Sequence, residues 1–232
     1  MTGTPARTPH NQVLAGLRGG LVVSCQARPG NPMHGPAYMT AMARAATAGG
    51  AVGIRVEGCP DIRAIRAALG LPLIGLWKTD DEGVYITPTL KHACAVVDAG
   101  ADIVATDGTR RPRPDGGTFA DIVAAVHGRG RLVMADCATL DDALDAEQSG
   151  ADLVGTTLSG YTPDAAHRDG PDLALVAELA AKCAVPVVAE GRIHTPEQAR
   201  QAREAGAWVV VVGTAITSPQ WITTQFAHAL GH

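Results

Sequence analysis

Hydrophobic positions in this chain come in short continuous runs separated by helical stretches. Four runs share one template: "AGGAVGIRV" at 48–56, "AGADIVATD" at 99–107, "SGADLVGTT" at 149–157 and "AGAWVVVVG" at 205–213. Each is a glycine, a small residue, then an apolar strand. The starts lie roughly 50–56 residues apart, room for two β-α units per period. The glycine falls just past a helix, where the backbone wants a positive φ. A second set interleaves with the first: "GLVVSCQ" at 20–26, "LPLIGLW" at 71–77, "RLVMADC" at 131–137 and "VPVVAEG" at 185–191. The eight runs are continuous rather than alternating, as parallel strands covered by helices should be.

The helices between them are marked by Pro36, Pro60, Pro88, Pro171, Pro196 and Pro219. Proline suits the first helical position, where its missing N–H would be unpaired anyway. "HTPEQARQAREAG" is the clearest start, with Thr195 as N-cap, Pro196 at N1 and Gln198 closing a capping box. Eight β-α units in 232 residues predict a single-domain α/β fold, a (β/α)₈ TIM barrel over 19–232. The polar, Pro-containing stretch 1–18 reads as a flexible tail. A doubly wound open sheet ranks second, because no G-x-G-x-x-G follows the first strand. The longest loops, 106–117 and 156–170, follow strands four and six, on the face where barrels build their sites.

Composition narrows the class. Hydrophobic residues are 46%, charged residues 18% and the net charge is −4, a globular chain with no electrostatic reason to expect nucleic acid or a membrane surface as partner. The five cysteines, Cys25, Cys59, Cys94, Cys137 and Cys183, include no C-x-x-C pair and read as reduced thiols of a cytoplasmic protein. The histidines show no H-E-x-x-H spacing, so no His-based metal site is expected.

In a barrel of this kind, polar groups at strand ends converge on one mouth. Here those ends supply Ser24 and Gln26, Arg55, Lys78, Thr106 and Asp107, Asp136, Thr156 and Thr157, Glu190 and Arg192, and Gly213 and Thr214. Lys78 and Glu190 are the acid-base candidates. A lysine in a low-dielectric mouth beside Arg55 should have a lowered pKa and can act as a base. Plainer readings exist for each residue: Glu190 pairing with Arg192 or Lys78, Arg55 with Glu57, Asp136 with Arg131. "EGRI" after strand seven and "VGTAI" after strand eight suggest a phosphate cradle, with glycines allowing close backbone approach. "RRPRP" at 110–114 is a short basic run that could bind an anion.

Taken together, "LVVSCQARPGNP", "VGIRVEG", "PLIGLWKTD", "YITPT", "ATDGTRRPRPDG", "MADCATLDDA", "GADLVGTTLSGYT", "PVVAEGRIHTPEQA" and "VVVVGTAIT" resemble the N-acetylmannosamine-6-phosphate 2-epimerase family from about Leu21 to about Thr217. The resemblance implies a cytoplasmic barrel enzyme of sialic acid and amino-sugar breakdown. It would interconvert N-acetylmannosamine 6-phosphate and N-acetylglucosamine 6-phosphate, without cofactor or metal, commonly as a homodimer. It assigns catalysis to Lys78 and Glu190, and sugar binding to Gln26, Arg55 and Asp136. Thr157 joins the substrate-binding set. Phosphate binding falls to Gly191, Arg192, Gly213 and Thr214. One string departs from the family: "AITSP" puts Ser218 where "AITRP" has an arginine. Ser218 can cap the last helix but carries no charge, which leaves Arg192 or Arg110 to supply it. Two alternatives stay open, a phosphosugar aldolase using Lys78 as a Schiff base and a non-catalytic sugar-phosphate-binding relative.

Overall fold

A computed structural model describes residues 9–79, 83–163 and 169–231. Eight parallel strands close into a barrel in sequence order. They are β1 (Leu21–Cys25), β2 (Gly53–Glu57), β3 (Leu73–Leu76), β4 (Ile103–Asp107), β5 (Leu132–Asp136), β6 (Leu153–Gly155), β7 (Val187–Glu190) and β8 (Val209–Val212). The helices are α1 (Pro9–Leu17), α2 (Pro36–Ala48), α3 (Cys59–Ala68), α4 (Leu90–Asp98), α5 (Phe119–His127), α6 (Leu140–Gln148), α7 (Leu173–Lys182), α8 (Pro196–Glu204), α9 (Thr214–Thr217) and α10 (Pro219–Ala229). Closure through the β1–β8 pair, with Val22 opposite Val211, rules out the open sheet.

The template glycines sit where expected. Gly50, Gly100, Gly150 and Gly206 follow α2, α4, α6 and α8 with φ of 99°, 107°, 96° and 106°. A side chain there would strain the turn into each following strand. The capping box at Thr195 and Gln198 forms as read, with Pro196 inside the first turn. Pro88 and Pro171 do not start helices. Each precedes the true N-cap, Thr89 or Asp172, whose side chain accepts a backbone N–H.

The N-terminal expectation needs correction. Residues 1–8 lie outside the described residues, but 9–17 form α1 rather than a tail. Leu17 is fully buried against the bottom of the barrel. A Cβ on Gly53 would lie 2.7 Å from Leu17 Cδ2, so glycine is what lets the plug seat. The Trp208 indole donates to the Leu14 carbonyl at 3.1 Å and fixes the helix from below. Burying Leu17 contributes about 2 kcal/mol. That gain comes from tertiary contact, which a weak local helix signal does not reveal.

Strand periodicity builds the interior. Residues two apart point the same way. Val22, Ile74, Leu76, Ile103, Ala105, Leu132, Met134, Leu153, Val188, Val209 and Val211 fill the barrel with Leu17. One or two further steps along the same parity reach the C-terminal end of the barrel, at Gln26, Glu57, Lys78, Asp107, Asp136, Thr157, Glu190 and Gly213. The polar layer therefore stacks directly on a dry one.

Candidate active site

The mouth is a cavity of about 870 Å³, within the range of small-molecule sites. Gln26, Arg55, Lys78, Thr157, Glu190, Gly191, Arg192, Gly213 and Thr214 all line it. Asp136 does not. It is fully buried, its carboxylate covered by Arg55 and Thr157. Asp136 accepts from Arg55 Nη1 at 3.1 Å and Nη2 at 2.7 Å, a two-point grip. Arg55 Nη1 also lies 3.1 Å from Glu190 Oε2. Thr157 Oγ1 joins the cluster, 2.6 Å from Asp136 Oδ1 and 3.2 Å from Glu190 Oε2. The pairing of Arg55 with Asp136 and Glu190 replaces the plainer readings. Glu57 instead accepts from the Lys78 backbone N–H at 3.3 Å, and Arg131 pairs with Asp102 at the barrel's other end.

This geometry sets the charges. Burial in the mouth works against a charge on Lys78 and lowers its pKa, and Arg55 and Arg28 lower it further against the opposing pull of Glu190 and Glu57. Among the described residues no partner holds its Nζ. Burial raises the Glu190 carboxyl to about 7, outweighing the pull of Arg55, with Asp136 adding like-charge repulsion. An amine biased towards neutrality and a carboxyl biased towards its acid form thus share one mouth. Burial also disfavours the Arg55 charge, but Asp136 and Glu190 more than restore it.

Among the described residues three buried side-chain polar atoms lack partners, Thr40 Oγ1 and two on residues of the mouth. Gln26 donates through Nε2 to Ser24 Oγ at 2.8 Å, which leaves Oε1 unpaired, and Arg55 Nε is unpaired as well. Buried polar atoms are ordinarily satisfied, so a polar ligand fits both. Across the mouth, Gly191 has φ 107° and Arg192 φ 54°. The Arg192 side chain donates to the Gly170 carbonyl at 2.9 Å and lies over the Tyr161 ring at 4.8 Å. Gly213 lies so close to Ser24 that a Cβ would sit 3.2 Å from the Ser24 Cβ.

Several strand-end residues are not in the wall. Thr106 and Thr156 have the outward parity and spend their hydroxyls on backbone, at Thr87 O and Glu190 O. Asp107 is buried under Arg111 and Thr109. Arg110 reaches Asp145 and Asp141 on α6 and borders a smaller cavity outside the mouth, whereas Arg192 lines the mouth itself. Ser218 lines the mouth and caps α10, accepting from Trp221 N at 3.4 Å.

The wall also holds residues that strand-end reasoning missed: Arg28, Asn31, His34, Glu57, Tyr85 and Tyr161. Apart from Glu57, they come from loops. The strings "QARPGNP" and "YITPT" carried the available signal for Arg28 and Tyr85.

Comparison with known proteins agrees with this fold. Residues 39–232 match the family described as "Putative N-acetylmannosamine-6-phosphate epimerase". A Cutibacterium acnes relative named a putative N-acetylmannosamine-6-phosphate 2-epimerase is 51% identical, covering 95% of this chain and 97% of its own. A Klebsiella pneumoniae relative of the same name is 50% identical, covering 91% and 90%. The solved N-acetylmannosamine-6-phosphate 2-epimerase from Clostridium perfringens superposes with a TM-score of 0.92 at 42% identity, over 98% of this chain and 100% of that one. A thiamine phosphate pyrophosphorylase from Pyrococcus furiosus, at TM-score 0.61 and 19% identity, shares the fold alone. Matched by the family and by these relatives over most of its length, this chain belongs to the N-acetylmannosamine-6-phosphate epimerase family.

Proposed function

We propose that this protein interconverts N-acetylmannosamine 6-phosphate and N-acetylglucosamine 6-phosphate by removing and returning the proton on C2. The observation that carries the reading is the pairing of Lys78 and Glu190 in one mouth, their pKa values displaced towards each other around Arg55. The C2–H bond is acidic only when C1 is an aldehyde, so the open-chain sugar is the reacting form. Neutral Lys78 takes the C2 proton. The C–H electron pair becomes the C1–C2 double bond, and the carbonyl π pair moves onto the C1 oxygen to give an enolate. Arg55 supplies a fixed positive charge close by, which lowers the barrier as preorganised donors do. The acid form of Glu190 returns a proton to the other face of C2. The reverse reaction runs with the two protonation states exchanged.

Gln26 and Thr157 would hold the sugar, and Asp136 acts from behind by fixing Arg55. Gly191, Arg192, Gly213 and Thr214 would take the phosphate, with Arg192 providing the charge that Ser218 lacks. The acid-base pair is complete in itself, so the reading calls for no cofactor. Amino-sugar breakdown in the cytoplasm suits the activity. A homodimer is favoured by α10, which buries none of its residues and leaves Phe226 70% exposed, with its C-cap Leu230 78% exposed.

Proton NMR of N-acetylglucosamine 6-phosphate with the protein in D₂O tests this reading. Loss of the C2 proton signal with new N-acetylmannosamine 6-phosphate peaks is expected. An unchanged spectrum contradicts it. Borohydride reduction during turnover should leave Lys78 unmodified; a mass adduct there would instead favour the Schiff-base reading.

A further inference from the structure

The wall around Lys78 is completed by a segment from outside the eight strands. β3 and β4 pair only at Ile74↔Ile103 and Gly75↔Val104, whereas β4 and β5 pair over five residues. Beyond Gly75 the two strands splay, and the segment 84–87 fills the gap. Lys78 bridges antiparallel to Ile86, Thr79 N donates to Tyr85 O at 3.0 Å, and Asp107 N donates to Ile86 O at 2.9 Å. The proposed base therefore stands on an inserted antiparallel pair just beyond the end of β3, whereas Glu190 is the last residue of β7, paired with Val211 of β8 and donating its N–H to Thr156 Oγ1.

Thr87 is the pin of that antiparallel pair. Its N–H donates to Trp77 O at 2.7 Å. Its Oγ1 accepts from Trp77 N at 3.1 Å and donates to Ala105 O at 2.7 Å. Its carbonyl accepts from Thr106 Oγ1 at 2.9 Å. One residue thus ties both backbone groups of Trp77 to β4. It does so at φ 44°, although it is β-branched and precedes Pro88, each of which disfavours that region. It is fully buried and is not in the cavity wall, so it touches no substrate. A strained backbone that persists is held by its surroundings, and such residues gather at functional sites.

We infer that Thr87 is a positioning residue for the reaction, its hydroxyl and strained backbone fixing Trp77 and so aiming the Lys78 amine at the mouth. This rests on the reading of Lys78 as the base. The amine faces Arg55, Glu190, Arg28 and Glu57, and its charge state depends on where the antiparallel pair holds it among them.

Three variants test the inference. Thr87→Val keeps shape and loses the hydroxyl. Thr87→Ser keeps the hydroxyl. Thr87→Gly loses the hydroxyl but accepts the positive φ, so it covers the case where Thr87→Val does not fold. Expected for Val and Gly is a loss of kcat of about 10²-fold, the scale of an ångström of misplacement, with KM within about threefold. Thr87→Ser should recover kcat to within about threefold of the unaltered protein. The pH midpoint for acetic anhydride labelling of Lys78, read by peptide mass, should rise in Val and Gly and stay put in Ser. Unaltered kcat and labelling midpoint in a folded Val or Gly variant would overturn the inference. So would a loss confined to KM, or an equal loss of kcat in Ser. If the unaltered protein itself does not epimerise, the functional reading fails, and the labelling midpoint still decides the role of Thr87.

Discussion

The two ends of the barrel interior use the same strand positions for opposite purposes. At the bottom, Val22, Leu132, Leu153 and Val209 close around Leu17. Four residues further along the chain in each case, Gln26, Asp136, Thr157 and Gly213 stand at or just behind the mouth. The lower end gains stability by excluding water. The upper end uses that same exclusion to disfavour charge on Lys78 and Glu190. A polar ring alone would titrate normally; the apolar layer beneath, with Leu76, Met134 and Val188, is what moves the ring towards neutrality.

The sharpest way to break this contrast is one truncation at each end. Lys78→Ala should reduce epimerisation by on the order of 10⁴-fold while the melting temperature stays equal or rises, because the fold disfavours that charge. Residual turnover near the unaltered rate would remove Lys78 from the mechanism. Leu17→Ala should do the converse. It should cost about 2–5 kcal/mol of stability in denaturant unfolding, with kcat and KM unchanged below the transition.

Glu190→Gln sharpens the comparison through pH. The Glu190 carboxyl is raised in the fold to about 7, so its acid form is favoured there. Relative to the unfolded chain, this stability is present below about pH 4.3 and lost as pH rises to about 7. Glu190→Gln, which cannot ionise, should therefore gain stability over the unaltered protein between pH 5 and pH 8, by up to about 3 kcal/mol. It should also lose turnover by roughly 10²-fold. A stability difference independent of pH would contradict the raised carboxyl. The smallest effect is expected at the phosphate side. Ser218→Arg should lower KM for the phosphosugar by roughly tenfold, the scale of one added charged hydrogen bond, with little change in kcat. A raised KM would mean that Arg192 and the new arginine compete.

Much of this was legible in the sequence. The eight strands were marked by continuous apolar runs, and four of them by the preceding glycine, whose positive φ the fold realises. Lys78, Glu190, Arg55 and Thr157 were legible because strand parity brings strand-end residues to the mouth. The same parity explains the misses. Thr106 and Thr156 are one residue out of phase and face away, while Asp136 is in phase but covered by Arg55 and Thr157. Arg28, Tyr85 and Tyr161 reach the mouth from loops, whose path no periodicity encodes. α1 was missed because its burial depends on Gly53, more than thirty residues along the chain. Thr87 was invisible, since a β-branched residue before proline argues for extended backbone and only the splayed β3–β4 seam forces it elsewhere.

The most direct test of the account is a site-resolved NMR titration of Lys78 and Glu190, using ¹³C-labelled lysine and glutamate with Lys78→Ala and Glu190→Gln for assignment. The account predicts that Lys78 titrates below the usual 10.5 and Glu190 near 7. Lys78 at 10.5 together with Glu190 at 4.5 would contradict it, because the apolar layer would then leave the charges above it unmoved.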